Sequence, residues 1–261
     1  MMQKFLEDLQ SYGIYSFSRD QLKDNLRISE DALKKILQRY ERKGKIQRIR
    51  RKFYIILTPE YKKTGSMPPI LFIDDMMKYF KIDYYIALIS AANIYGATHQ
   101  QPQVLQVIVN KQLKSIINKR LRIIFITKNK FPKEKYFEKK KTDTGYIKVS
   151  SPELTCLDIL KYQKQSGGIN QVCEIISQLV ELIDEKKILS LSKDMNKFIY
   201  LQRLGYVLDF LKYDKIADRI YKDLKKHKPH PIKLIAGNNE IITYNEKWKV
   251  FVNYDIEKDL L

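Results

Sequence analysis

The sequence predicts an α+β protein, an N-terminal winged helix-turn-helix followed by a mixed α/β domain with a small sheet and several helices. Three observations carry that prediction. Over residues 1–57 the apolar spacing switches from helical to extended, to two capped helices, and back to extended. Past a Pro-rich stretch at 58–69, β-branched runs alternate with amphipathic stretches. The 261 residues are 44% hydrophobic, with only 9 Gly and 8 Pro, so there is material for real cores and no low-complexity bulk.

Phe5, Leu6 and Leu9 repeat at helical spacing, and Gly13 is a natural terminator. Tyr15 and Phe17 alternate with Ser16 as a very short strand. Ser18 is a good N-cap, Gln21 completes a capping box, and Phe17 and Leu22 take the hydrophobic-staple positions. A helix over 19–26 follows. Ser29 caps the next helix, with Glu30 and Asp31 at the positive end of its dipole. Leu33, Ile36, Leu37 and Tyr40 form one apolar stripe, and Gly44 ends the helix. Ile46 and Ile49, a basic tip, and the run Phe53 to Leu57 then read as a hairpin, the wing.

The charge is as informative as the period. The chain carries 49 Lys+Arg against 30 Asp+Glu, a formal net charge of +19. It sits in two islands, +8 over residues 1–63 and +10 over 111–148. Residues 34–52 alone hold ten basic side chains and one acidic, Glu41. Reading base edges in a major groove needs long donors on an exposed helix face, and Lys34, Lys35, Gln38, Arg39 and Arg42 supply them. The wing residues Lys45, Arg48, Arg50, Arg51 and Lys52 suit phosphates or the minor groove. Double-stranded DNA is the expected partner.

Domain boundaries follow from composition: 1–63 a winged helix-turn-helix, 64–82 a linker and domain edge, 83–261 an α/β domain. Residues 84–95 are apolar almost all round and predict a buried helix. Strands are expected at 104–109, 121–127 and 145–149. Ser151-Pro152-Glu153 opens a helix that Gly167-Gly168 stops. Further helices are expected at 171–183, 195–211 and 215–226, with short strands between 232 and 254.

The second island leaves three options: a solvated surface, an RNA-binding face, or a second phosphate contact centred on Lys139, Lys140 and Lys141. Tyr136, Phe137 and Tyr146 interleave with its lysines, as base stacking or core packing both require.

Other chemistry is sparse. No phosphate-binding glycine loop, dinucleotide fingerprint or HExxH pattern is present, so no cofactor or metal is expected. His99, His227 and His230 lack ligand spacing, and Cys156 and Cys173 read as buried helix residues in a reducing compartment. No apolar run of 18 residues exists, so no membrane partner and a cytoplasmic location are expected. Glu153 and Asp158 are a conceivable acidic pair for nucleic-acid processing, but a helix-terminal role and an ordinary polar role suffice for them. Arg203 and Asp209, charged within an apolar helix, imply an ion pair or separate salt bridges.

The apolar segment before Gly96, the phrases SPELTCLDIL at Ser151 and RLGYVLDFL at Arg203, and KWKVFVNYDIE near the C-terminus carry a family likeness. With a winged helix in front, the chain resembles the AbiEi antitoxins of type IV toxin–antitoxin systems. The resemblance implies an antitoxin and transcriptional autorepressor that binds inverted-repeat operator DNA of its own operon. It further implies a nucleotidyltransferase toxin as functional partner without a stable complex, a part in abortive infection against phage, and no catalytic residues. The alternative is an RNA- or protein-binding module acting through the central island or, third, an enzyme acting on nucleic acid.

Overall fold

The computed structural model describes residues 1–61, 63–98, 102–118, 120–196 and 198–257. It is a mixed α+β protein with two compact units, Met1–Tyr85 with Gln103–Asn129 and Lys139–Lys148, and Ile86–Pro102 with Lys130–Glu138 and Val149–Leu261.

The first unit opens with α1 (Met2–Ser11), β1 (Ser16–Ser18), α2 (Arg19–Leu26), α3 (Glu30–Arg42), β2 (Ile46–Arg50) and β3 (Phe53–Ile56), the order expected of a winged helix. Both caps form: Ser18 Oγ accepts from Gln21 N at 3.0 Å and Ser29 Oγ from Ala32 N at 3.3 Å. Gly13 takes a φ of +71°, which lets the chain reverse into β1. The strands form an antiparallel sheet in the order β1-β3-β2, in which Phe17 lies opposite Tyr54. Phe5, Leu6, Phe17, Leu22, Leu33, Leu37 and Tyr54 close one core. Phe17 stacks on Tyr54 and meets Phe5 edge-on, each at 5.5 Å. Leu22 and Leu33 lose all solvent contact, each contributing about 1.5–3 kcal/mol, so the stripe orients α3 as well as stabilising it.

Residues 64–82 contain α4 (Ile73–Phe80), whose Ile73, Met76 and Met77 are buried. Beyond it lies a six-stranded sheet of β4 (Tyr84–Ile86), β5 (Leu105–Val109), β6 (Ile116–Ile117), β7 (Arg122–Thr127), β8 (Phe137–Thr142) and β9 (Gly145–Ser150). Its order is β6-β7-β5-β4-β9-β8, with β5 parallel to β7 in register Val107↔Phe125.

In the second unit, α5 (Leu88–Ile94), α7 (Ile169–Leu179), α8 (Glu185–Met195) and α9 (Phe198–Phe210) surround α6 (Pro152–Lys161). Residues 152–160 of α6 are buried without a break. After α10 (Asp214–Leu224) come β10 (Ile232–Lys233), β11 (Thr243–Asn245) and β12 (Val250–Val252), a small sheet in the order β10-β12-β11.

Here the motifs RLGYVLDFL and KWKVFVN meet. Trp248 is fully buried, its Nε1 donates to Asp209 Oδ2 at 2.6 Å, and Gln202 Nε2 donates to its carbonyl at 3.0 Å. Gly205 makes the room, because a Cβ there would lie 2.0 Å from the Trp248 ring.

Several elements differ from expectation. Residues 84–95 are not one helix: the β-favouring Tyr84-Tyr85-Ile86 pairs as β4, and α5 starts only at Leu88, whose φ of +55° sets it off from the strand. The helix from Pro152, by contrast, runs as expected, ending at Lys161 with Tyr162 as its C-cap, and a single 3-10 turn precedes Gly167. The helix expected at 195–211 begins at Phe198, since Met195 closes α8 and Asn196 adopts left-handed geometry. Neither α8, capped by Asp184, nor β8, with three lysines in six residues, was expected.

Candidate nucleic-acid interface

The stripe that buries Leu33 and Leu37 leaves the opposite face of α3 in solvent, with Lys34, Lys35, Gln38, Arg39 and Arg42 all exposed. The wing turns at Arg51-Lys52, where Lys52 adopts a φ of +66°. Between α3 and the wing runs an open cleft of about 290 Å³, lined by Arg19, Lys34, Gln38, Arg48, Arg51 and Lys52, with Tyr54 and Leu37 also in its wall. Glu41 is its one carboxylate. Five cations around one carboxylate make the cleft a trap for anions.

The expected wing residues divide by what they touch. Arg48 and Arg51 are exposed. Lys45 Nζ donates to Gln3 Oε1 at 2.7 Å and lies 5.7 Å from the Tyr40 ring centre. Lys52 pairs with Asp20 at 3.2 Å. Arg50 turns away from the cleft, donating through Nη2 to the Lys114 carbonyl, with its guanidinium 5.3 Å from the Phe125 ring centre. Burial pushes its pKa down. Arg19 is a cleft residue that the sequence did not single out, because only the α2–α3 fold brings it to Lys34 and Gln38. Glu30 holds Arg19 at 2.6 Å and Lys23 at 2.7 Å, and the hydrogen bond from Lys23 chiefly lowers the Glu30 pKa.

The central island resolves into distinct roles. Lys139 and Lys141 are exposed on one face of β8, with Lys140 half-buried on the other. This strand is an edge of the sheet, where lysines oppose pairing with another chain. Lys128 is buried, donating to Tyr85 Oη at 3.0 Å. Lys133 and Lys135 pair with Asp194 at 2.9 and 3.0 Å. Tyr136 is 1% exposed and donates to Asp194 Oδ2, and Phe137 packs on Phe131 at 5.7 Å, so Tyr146 is the exposed ring of the three.

Glu153 is buried and accepts from Asp184 N at 2.9 Å, with Lys187 Nζ at 3.2 Å, fastening α6 to the start of α8. Asp158 is buried in the same helix. Arg203 donates to the Lys233 carbonyl while Asp209 pairs with Lys247, so these two charges hold separate partners. Both cysteine thiols are buried, with pKa values raised by desolvation. His227 stacks on Phe198 at 4.1 Å, and His99 lies outside the described residues. Among the described residues no cluster of three His, Cys, Asp or Glu could hold a metal ion, and no helix is long and apolar enough to cross a membrane.

Residues 85–210, the segment that runs from β4 through α9, match the AbiEi antitoxin C-terminal domain. That segment is therefore identified as an AbiEi antitoxin C-terminal domain. The matched domain is an antitoxin domain, which supports an antitoxin role for this chain. A crystal structure of the RV2827C protein from Mycobacterium tuberculosis is similar over 95% of this chain and 89% of its own, with a TM-score of 0.68 at 13% identity. At that identity the likeness is one of fold. A comparison with curated proteins returned no match.

Proposed function

We propose that this chain is an AbiEi-type antitoxin and a DNA-binding autorepressor. In this reading α3 enters the major groove of an inverted-repeat operator in its own toxin–antitoxin operon, where Lys34, Lys35, Gln38, Arg39 and Arg42 meet base edges and adjacent phosphates. Arg48 and Arg51 of the wing, with Arg19 and Lys52 beside them, lie along the phosphates. Arg50 and Lys45 support the wing through their protein contacts, and Lys139, Lys140 and Lys141 serve as a second, weaker phosphate surface. The chain acts in the cytoplasm, without catalysis, cofactor or metal, against a nucleotidyltransferase toxin with which it forms no stable complex. Phage abortive infection is the setting that such a pair fits.

The observation that carries the reading is the cleft between α3 and the wing, whose side chains are long, basic and exposed on the helix face that packing leaves over. A gel-shift at fixed salt tests it, comparing the promoter of the protein's own operon with a scrambled duplex. Preferential binding of the promoter is expected, and equal binding of both duplexes would sink sequence-specific repression. Co-expression with a nucleotidyltransferase encoded beside it should restore growth of the host, while pull-down recovers no complex.

A further inference from the structure

We infer that the β6–β7 segment is a further phosphate-contacting surface, separate from Lys139–Lys141 and continuous with the wing, lengthening the duplex footprint beyond the helix-turn-helix; this rests on the DNA-binding reading above. Three observations in the first unit lead there. The wing is fastened to this segment, since Arg50 at the end of β2 donates to the Lys114 carbonyl and lies over Phe125 of β7. The segment is held in shape: Phe125 N donates to Ser115 Oγ at 3.2 Å, and Asn118 Oδ1 accepts from the amides of Arg120 and Leu121, each at 2.9 Å. Its charge is of one sign, with five basic residues and no acidic residue in 111–127.

Lys114, Arg120 and Arg122 are exposed, and among the described residues no carboxylate pairs with them. The Arg120 stem runs close over Gly65, where a Cβ would come within 2.6 Å of it, so its direction is set by backbone. Elsewhere in the second island Lys128 is taken up by Tyr85 and Lys133 and Lys135 by Asp194, while Lys139 and Lys141 stand exposed on the separate edge strand β8. A mixed-sign surface is the usual solution for solubility, and an unpaired single-sign strip joined to a DNA-facing wing fits a polyanion. Base edges are out of reach of a strip that only continues the wing, so its partner is the phosphate backbone of duplex DNA and its contribution is independent of sequence.

The full-length protein carrying Lys114→Gln, Arg120→Gln and Arg122→Gln is compared with the unmodified chain by titrating operator and scrambled duplexes over a range of salt. Each lost phosphate contact lowers the slope of log K against log salt by about 0.9, so a fall of about 2 to 3 is expected on both duplexes, with the ratio between them unchanged. Lys114→Gln alone, a fully surface change, should lower the slope by about one if the triple variant folds poorly. An unchanged slope in Lys114→Gln, or in a folded triple variant, overturns the inference, as does a loss confined to single-stranded RNA. Equal affinity of the unmodified chain for the two duplexes would refute operator reading instead, while the slopes would still report the strip.

Discussion

Replacing Gly205 by alanine sets two well-calibrated effects against each other inside α9. Gly205 has ordinary helical geometry, and alanine in a helix interior is favoured over glycine by about 0.8–1.0 kcal/mol. Against that, the added methyl would sit 2.0, 2.2 and 2.5 Å from three ring carbons of Trp248. The indole has nowhere to retreat: it is fully buried, its Nε1 is held by Asp209, and Gln202 and Asn245 fix its backbone. Overpacking of that kind costs about 1–3 kcal/mol, and against a clamped ring the upper part of that range, about 2–3 kcal/mol, applies, so after the helix gain we expect net destabilisation of about 1–2 kcal/mol. With a urea m-value of about 2 kcal/mol/M, the midpoint should fall by about 0.5–1 M. Trp248 is the chain's single tryptophan, so its fluorescence follows this site directly during urea titration. The double variant Gly205→Ala, Trp248→Leu should show a coupling of about 1 kcal/mol or more. A midpoint raised by Gly205→Ala, as helix propensity alone demands, would refute the packing account.

Further expectations concern the interface and the carboxylates. Arg39→Ala should cost about 1–3 kcal/mol on the operator and narrow its preference over scrambled DNA, whereas Arg51→Ala should weaken both duplexes alike and lower the salt slope by about one; competitive gel-shifts separate the two. Arg50→Met keeps the stem over Phe125 but removes the donor to the exposed Lys114 carbonyl, so urea unfolding should register a loss of about 0.5–1.5 kcal/mol. Asp75 and Asp194 should respond to pH with opposite signs. Burial chiefly raises the Asp75 pKa, so its contribution to stability declines as pH climbs through the ordinary carboxylate range toward its folded pKa; Asp75→Asn, which can still accept from Ser16, should raise the urea midpoint at pH 7 relative to pH 4. Lys133, then Lys135 and Tyr136, hold the Asp194 pKa well below that range, so its contribution is present at neutral pH and fades as pH falls toward that depressed pKa; Asp194→Asn should lower the midpoint at pH 7 and flatten the acid limb.

The order of the winged helix was legible in the sequence because each of its elements is specified locally. Serine caps at Ser18 and Ser29 and a 3.6-residue apolar stripe act within a few residues of chain, and they place α2 and α3 at the bounds they occupy, although the Gln21 side chain does not close the capping box. The exposed face of α3 is the complement of that stripe, so Lys34, Gln38 and Arg39 could be named before any packing was known. Strand β8 was not legible, because Phe137–Thr142 has little apolar alternation; its pairing comes from a neighbour, and its lysines make sense only at a sheet edge. Residues 84–95 misled for the converse reason, since burial on every side looks the same in a strand and in a helix.

By itself, the amino-acid sequence determined the two islands of positive charge, the helix with an exposed basic face, and the phrases that carry the likeness to an antitoxin domain. Tertiary structure decided which of those charges remain available. Lys128, Lys133, Lys135 and Arg50 are as basic in composition as Lys34 or Arg51, yet each is taken up by a phenol, a carboxylate or a carbonyl. Charge is a property of a residue, whereas availability depends on groups that arrive from distant parts of the chain, and no local pattern encodes their arrival.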